Sequence, residues 1–118
     1  MKKRFLGDSY DAVKRLWQET FSGWAPLLAE PLFIPADIRE DFTTLTRIPM
    51  LTERRPTEYP IFNDPDTGVR LPDRENQREG STHISLSTIS TQVRNPAVRC
   101  VVTFDQNGCY VSESQKVG

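Results

Sequence analysis

Helical and strand-like segments alternate along this chain, which predicts an α/β layer domain built on a short, mostly parallel sheet. Three observations carry that expectation. Residues 9–21 place apolar side chains at 10, 13, 16, 17 and 21, a helical stripe. Residues 98–104 are β-branched and almost continuously apolar, as a strand covered on both faces reads. Between them Ile61-Phe62 looks like the short buried end of another strand, and it runs straight into the acidic turn Asn63-Asp64-Pro65-Asp66-Thr67-Gly68.

The first helix is entered through Asp8, a natural N-cap whose carboxylate accepts from the free amides of the first turn. Asp11 follows in that turn, where negative charge suits the helix dipole. Lys14, Arg15, Gln18 and Glu19 lie largely off the stripe, on what reads as a solvated face. Gly23 marks the stop. The apolar run 24–28 is flanked by Pro26 and Pro31, and Leu32-Phe33-Ile34 reads as a short strand. Pro35 suits the start of a second helix over 36–47, because its missing amide costs nothing there. Ile38, Phe42 and Leu45 make its stripe, Thr43, Thr44 and Thr46 weaken it, and Pro49 ends it. Residues 51–60, with Pro56 and Pro60 amid charge, form a surface connection.

After the acidic turn, Val69-Arg70-Leu71 alternates as an extended segment. Residues 72–81 are polar throughout and read as a loop. Leu86, Ile89 and Val93 predict a third helix over 86–94, broken by Asn95-Pro96. Asp105 stands at the carboxyl end of the strand over 98–104. The tail over 106–118 has little periodicity, and poor order is expected beyond Tyr110 and Val111. No internal repeat is visible.

The size suits a single domain: 118 residues have no room for a second core. A formal net charge of −1 gives no global attraction to nucleic acid or anionic membrane, although a local basic patch stays open. The basic start Lys2-Lys3-Arg4 is followed only by Phe5 and Leu6, too short for a signal peptide or a membrane span. A cytoplasmic protein with no membrane association is expected. Cys100, Cys109 and the single histidine His83 have no CxxC or HxxxH spacing, which argues against structural zinc. Cys100 reads as a buried small hydrophobe, and a cytoplasmic setting argues against a disulfide with Cys109.

In open α/β sheets ligands bind beyond the carboxyl ends of the strands. Asp64 and Asp105 both stand at such ends, and they converge if their strands are neighbours. Asp64 and Asp66 in one turn suit a hard cation, or a clamp on a substrate amine or hydroxyl. The plainer reading is an Asx-type turn capping local amides. Asp8 and Asp11 could join the same site, against the capping role already given. Lys14 and Arg15 could meet phosphate, against a solvated face. His83 could be a general base, against simple exposure beside a polar loop. Asp105 could equally start a turn with Gln106, Asn107 and Gly108. No GxGxxG, P-loop or GxSxG pattern is present. Trp17 and Trp24 read as core residues.

Two stretches also carry a resemblance. Gly7-Asp8-Ser9-Tyr10-Asp11-Ala12-Val13-Lys14 resembles the opening of a group of uncharacterised bacterial proteins with a GDxYDxxK start. Asp64-Pro65-Asp66-Thr67-Gly68 resembles the Asp-Pro-Asp-(Asn/Thr)-Gly turn those proteins carry after a strand. The group is distantly similar to Rossmann-like methyltransferases, in which an Asp-Pro-Pro-Tyr turn receives the target amine. The resemblance implies a small Rossmann-like three-layer domain, Asp64 facing substrate, Pro65 shaping the turn, and S-adenosylmethionine as a cofactor. Asp66 and Thr67 stand where that turn has its second proline and its aromatic residue, and no glycine-rich cofactor loop is visible.

The leading expectation is therefore an enzyme acting on a nucleotide or nucleic acid through Asp64, Asp66, Asp105 and Asp8. Asp64 would orient a substrate donor, and Asp66 or Asp105 would assist. With magnesium, Asp64 and Asp66 would be the ligands. The chemistry lies between methyltransferase-like group transfer and metal-assisted hydrolysis. The alternatives are a non-catalytic protein-binding module, or a truncated fragment of a larger enzyme, suggested by the weakly patterned tail.

Overall fold

The computed structural model describes residues 9–65, 69–70 and 83–104. They form an α/β domain with helices α1 (Ser9–Phe21), α2 (Arg39–Thr46) and α3 (Leu86–Arg94). The strands are β1 (Leu28–Ala29), β2 (Tyr59–Asn63), β3 (Val69–Arg70), β4 (Ile84–Ser85) and β5 (Val98–Thr103). β1, β2 and β5 make one parallel sheet in the order β1-β2-β5, and β3 and β4 make a separate two-stranded parallel pair. Among the described residues no helix is long and apolar enough to cross a membrane.

β2 is the middle strand, and each of its five residues is buried. Its side chains alternate between two cores. Phe62 packs with Leu27, Ala29, Ile34, Ile38, Phe42, Ile48 and Phe104, under Tyr10, Trp17 and Phe21 of α1. Tyr59 and Ile61 face the other way, with Val98, Leu28, Leu51 and Val101. Asn63 shares that second face and reaches Gln92 of α3. Helices α1 and α2 thus cover one side of the sheet and α3 the other, a three-layer arrangement. β5 carries one extra residue between its pairings Tyr59↔Val98 and Ile61↔Val101, a bulge, and regains register at Asn63↔Thr103.

Four expectations change. The strand over 98–104 is not the one covered on both faces: beyond Val98, Arg99 is exposed and the rest of β5 half-buried, because β2 takes the central place and β5 lies at an edge of the described sheet. Leu32-Phe33-Ile34 is not a strand. Pro31–Phe33 is a 3-10 turn, with Pro31 at its start and the Glu30 side chain accepting from the Leu32 amide, and it drops Phe33 into the core. The strand is Leu28–Ala29, just upstream, held by backbone bonds to both Phe62 and Pro49 through the amides of Glu30 and Ala29. The helix expected over 36–47 ends where expected, with Arg47 in the left-handed conformation (φ 64°) and its amide donating to the Thr43 carbonyl, but its first turn, Ala36–Ile38, is a 3-10 turn and α2 begins at Arg39. Trp24 is half-exposed rather than core, tilted against Phe21 with the Arg99 guanidinium 4.2 Å from its ring.

Helix α1 keeps its predicted span but is rotated about its axis. Val13 and Leu16 of the expected stripe are 38% and 59% exposed, whereas Asp11, Lys14 and Gln18 are buried. The aromatics explain the rotation. Tyr10, Trp17 and Phe21 have the most apolar surface to bury, and they define a face whose centre is position 14. Trp17 meets Phe62 and Phe104 edge-on or tilted, and Tyr10 meets Phe104 at 5.3 Å between centroids. Gln18 is carried inward with them. Its amide accepts from the Leu27 N–H at 2.7 Å and donates to the carbonyls of Leu27 and Arg47, tying α1 to the entrance of β1 and the end of α2.

Candidate functional site

The carboxyl ends of β2 and β5 lie side by side, with the Phe104 amide donating to the Asn63 carbonyl at 2.9 Å. The neighbouring-strand premise for a strand-end site is therefore met. The first residue past β2, Asp64, points back over the α1 face, as alternation from Phe62 requires. It is 1% exposed, and there it finds Lys14, also 1% exposed, with Nζ to Oδ2 at 2.8 Å.

Lys14 is the centre of this cluster. Asp11, one turn back on α1, brings a second carboxylate to 3.9 Å from the same ammonium. The Phe104 ring lies beneath it, with its centroid 4.7 Å from Nζ. Two buried carboxylates thus share the Lys14 ammonium beside the rings of Phe104 and Tyr10. Such a group is stable only while paired, because removal of one partner strands a desolvated charge. Lys14 therefore does not lie on a solvated face. The clue was in the sequence: Tyr10, Lys14, Trp17 and Phe21 follow one another at steps of four, three and four, the spacing of a single helix face.

The second polar cluster lies on the opposite side of the sheet. Asn63 and Gln92 exchange a reciprocal amide pair at 2.8 and 3.0 Å, and the Asn63 amide also donates to Thr103 at 3.2 Å. Beside it opens a cavity of about 300 Å³ lined by Glu30, Leu32, Ser87, Thr88, Thr91 and Gln92. Neither Asn63, Gln92 nor Glu30 was among the expected site residues. The only available signal was position: Glu30 and Asn63 stand at or just past strand ends, as Asp64 does.

Asp8, Asp66 and Asp105 lie outside the described residues, as do the loop over 72–81, the tail over 106–118 and Cys109. His83 is half-buried, directly ahead of β4. Among the described residues no group of three or more histidine, cysteine, aspartate or glutamate side chains is arranged to hold a metal ion. Lys14 already presents its positive charge at Oδ2 of Asp64, so a divalent cation there would face both the ammonium and its lost solvation. Asp64 is one of the two expected magnesium ligands, and the other, Asp66, lies outside the described residues. No known protein family matches the chain, and neither a curated protein nor a solved structure does.

Proposed function

We propose that this chain is a Rossmann-like domain that binds a nucleotide or nucleic acid at the carboxyl edge of its parallel sheet and acts on it there. The observation that carries the reading is the buried Lys14–Asp64 pair, which pins the first residue of the acidic turn where two parallel strands end together. That edge is where sheets of this kind bind ligands. The two motifs behind the bacterial resemblance add support. Asp11 and Lys14 belong to the first and Asp64 to the second, and these are the charges that meet beneath the aromatic lid.

In this reading Asp64 is a positioning residue, since it is buried and paired. Asp66, two residues along the turn, and Asp105, next after Phe104, are the groups that touch ligand. Group transfer is favoured over metal-assisted hydrolysis because Asp64 already has its cation. A cytoplasmic setting belongs to the same reading, in keeping with the free thiol of Cys100.

Calorimetry tests this with adenosine nucleotides, S-adenosylmethionine and a single-stranded oligonucleotide. Binding of at least one is expected, with Asp66→Ala weakening it about tenfold, the loss of a charged hydrogen bond, while the melting midpoint stays put. No heat from any of the three sinks the reading. A second reading, a protein-binding module, is favoured by one observation: Val13 and Leu16 are exposed on the outer face of α1. A defined partner that co-purifies with the wild type and is lost on Leu16→Glu would establish it.

A further inference from the structure

We infer that the amino edge of the parallel sheet, the rim where β1, β2 and β5 begin, is a surface for the phosphodiester backbone of a nucleic acid. It lies at the other end of the strands from the site proposed above and does not depend on that reading. Each crossover in a parallel sheet returns the chain to the rim where strands start, so the segments leading from helix to strand gather there. Here they carry arginine and no lysine. Arg47 caps α2, Arg54 and Arg55 precede β2, Arg94 closes α3, and Arg99 is the second residue of β5. All five are exposed, and the same segments hold only two carboxylates, Glu53 and Glu58. Among the described residues none of the five has a carboxylate within ion-pair reach. The overall charge of −1 thus averages over a rim with a local positive excess.

Short contacts fix these residues along the rim. The Gln18 amide donates to the carbonyls of Leu27 and Arg47 at 3.1 and 3.0 Å, which sets Arg47 beside the start of β1. The Arg55 guanidinium lies 5.5 Å from the ring centroid of Tyr59, the first residue of β2. The Val98 amide donates to the Asn95 carbonyl at 3.0 Å, a tight turn that keeps Arg94 close to the start of β5. Three strands at about 4.8 Å spacing spread this charge over about 10 Å, the axial length of about three phosphates on one duplex strand. Helix dipoles favour cations at Arg47 and Arg94, but they do not account for Arg54, Arg55 and Arg99, which stand in loop or strand. Arg99 and Arg55 are also held in orientation, each over an aromatic ring, Trp24 and Tyr59. Stacking uses the plane of the guanidinium and leaves its N–H fork for a phosphate, which it meets bidentately. An anionic membrane answers to the number of basic charges rather than their orientation. Fixed forks therefore favour a nucleic acid.

The experiment is fluorescence anisotropy of a short labelled oligonucleotide, single-stranded and as a duplex, titrated with the full chain across a potassium chloride series. Binding of at least one form is expected, with log affinity falling against log salt at a slope of about −2 to −3 for three phosphates neutralised. Arg55→Gln/Arg99→Gln should bind about tenfold more weakly at low salt and flatten the slope by about two. Arg99→Lys keeps the charge without the fork and should recover only part of that loss. Arg54→Gln/Arg94→Gln is a second pair, in which neither side chain bonds to the fold, so its expected loss of about threefold cannot come from unfolding. Oligonucleotide binding that all four glutamine substitutions leave unchanged overturns the inference, and if Asp66→Ala weakens that binding it belongs to the carboxyl edge instead. No binding of either form at low salt also overturns it. Capture by phosphatidylserine vesicles without oligonucleotide binding would assign the rim to a membrane and overturn the inference as well.

Discussion

Asn63 and Asp64 are neighbours in the chain, yet they serve opposite faces of the sheet and solve the same problem differently. Both are polar and both are almost wholly buried, at 0% and 1% exposure. Asp64 turns toward α1 and is neutralised by Lys14 under aromatic rings, with Asp11 close by. Asn63 turns toward α3 and is matched by an amide of its own kind, beside an open cavity. A charged group is tolerable in a dry layer only with an ion to match it. A neutral amide needs hydrogen bonds alone, and water in a neighbouring cavity can supply them. At the carboxyl end of β2 one side is thus closed around a fixed charge pair, and the other holds a neutral amide pair beside an open cavity.

The largest effect should come from breaking the closed side. Lys14→Met leaves two carboxylates buried without their ammonium and is expected to cost about 3–5 kcal/mol, enough to unfold a marginal domain. Asp64→Leu alone should cost a similar amount. The double variant Lys14→Met/Asp64→Leu should recover most of the loss, and adding Asp11→Asn should recover the rest, because an apolar layer of similar volume is as stable as a buried pair. Urea midpoints read all four proteins. Additive losses in the double variant would show that the pair does not couple.

On the open side the same operation should cost less, and unequally. Asn63→Ala removes a fully buried side chain and leaves Gln92 and Thr103 without it, for about 1–3 kcal/mol. Gln92→Ala should cost about 1 kcal/mol, since water entering from the cavity can bond to Asn63. If Gln92→Ala proved as costly as Lys14→Met, the two faces would not differ in access to water, and the contrast drawn here would collapse.

The contrast also explains what could be read beforehand. The spans of α1 and α3 follow from spacing and breakers, since Asn95-Pro96 and the run into Gly23 act locally. A mostly parallel sheet was the inference from alternation, and it holds; that the strands ending at Asn63 and Thr103 are neighbours was only its condition, and the structure supplies it. The rotation of α1 escaped because an unweighted stripe counts Val13 and Leu16 equally with Trp17 and Phe21. Burial is decided by area, and the aromatics outweigh the aliphatics. Once rotated, the helix had to carry Lys14 inward, and a lysine is taken inward only when a carboxylate waits there. Asp64 was picked for its strand-end position, but its partner sits 50 residues away, and no local pattern reveals that pairing. The Glu30 cavity was invisible for a similar reason, being made by β1 and α3 meeting across the fold.

The smallest effect tests how far the dry interior reaches toward the sheet edge. Cys100 lies on β5, half-buried, and burial pushes its thiol above the ordinary value of 9.0 although the neighbouring Arg99 pulls it down. A thiol raised in the folded state keeps its proton there after the unfolded chain has lost it. Its contribution to stability is therefore whole below about pH 9 and declines as pH rises through the folded value. Cys100→Ser removes that titration, while Cys109 remains in both proteins. The difference in urea midpoint between wild type and Cys100→Ser should be constant up to about pH 8 and should narrow above pH 9, against the wild type. A difference that stays flat through pH 10 would mean that solvent reaches the thiol freely and that the edge strand is wet on both faces.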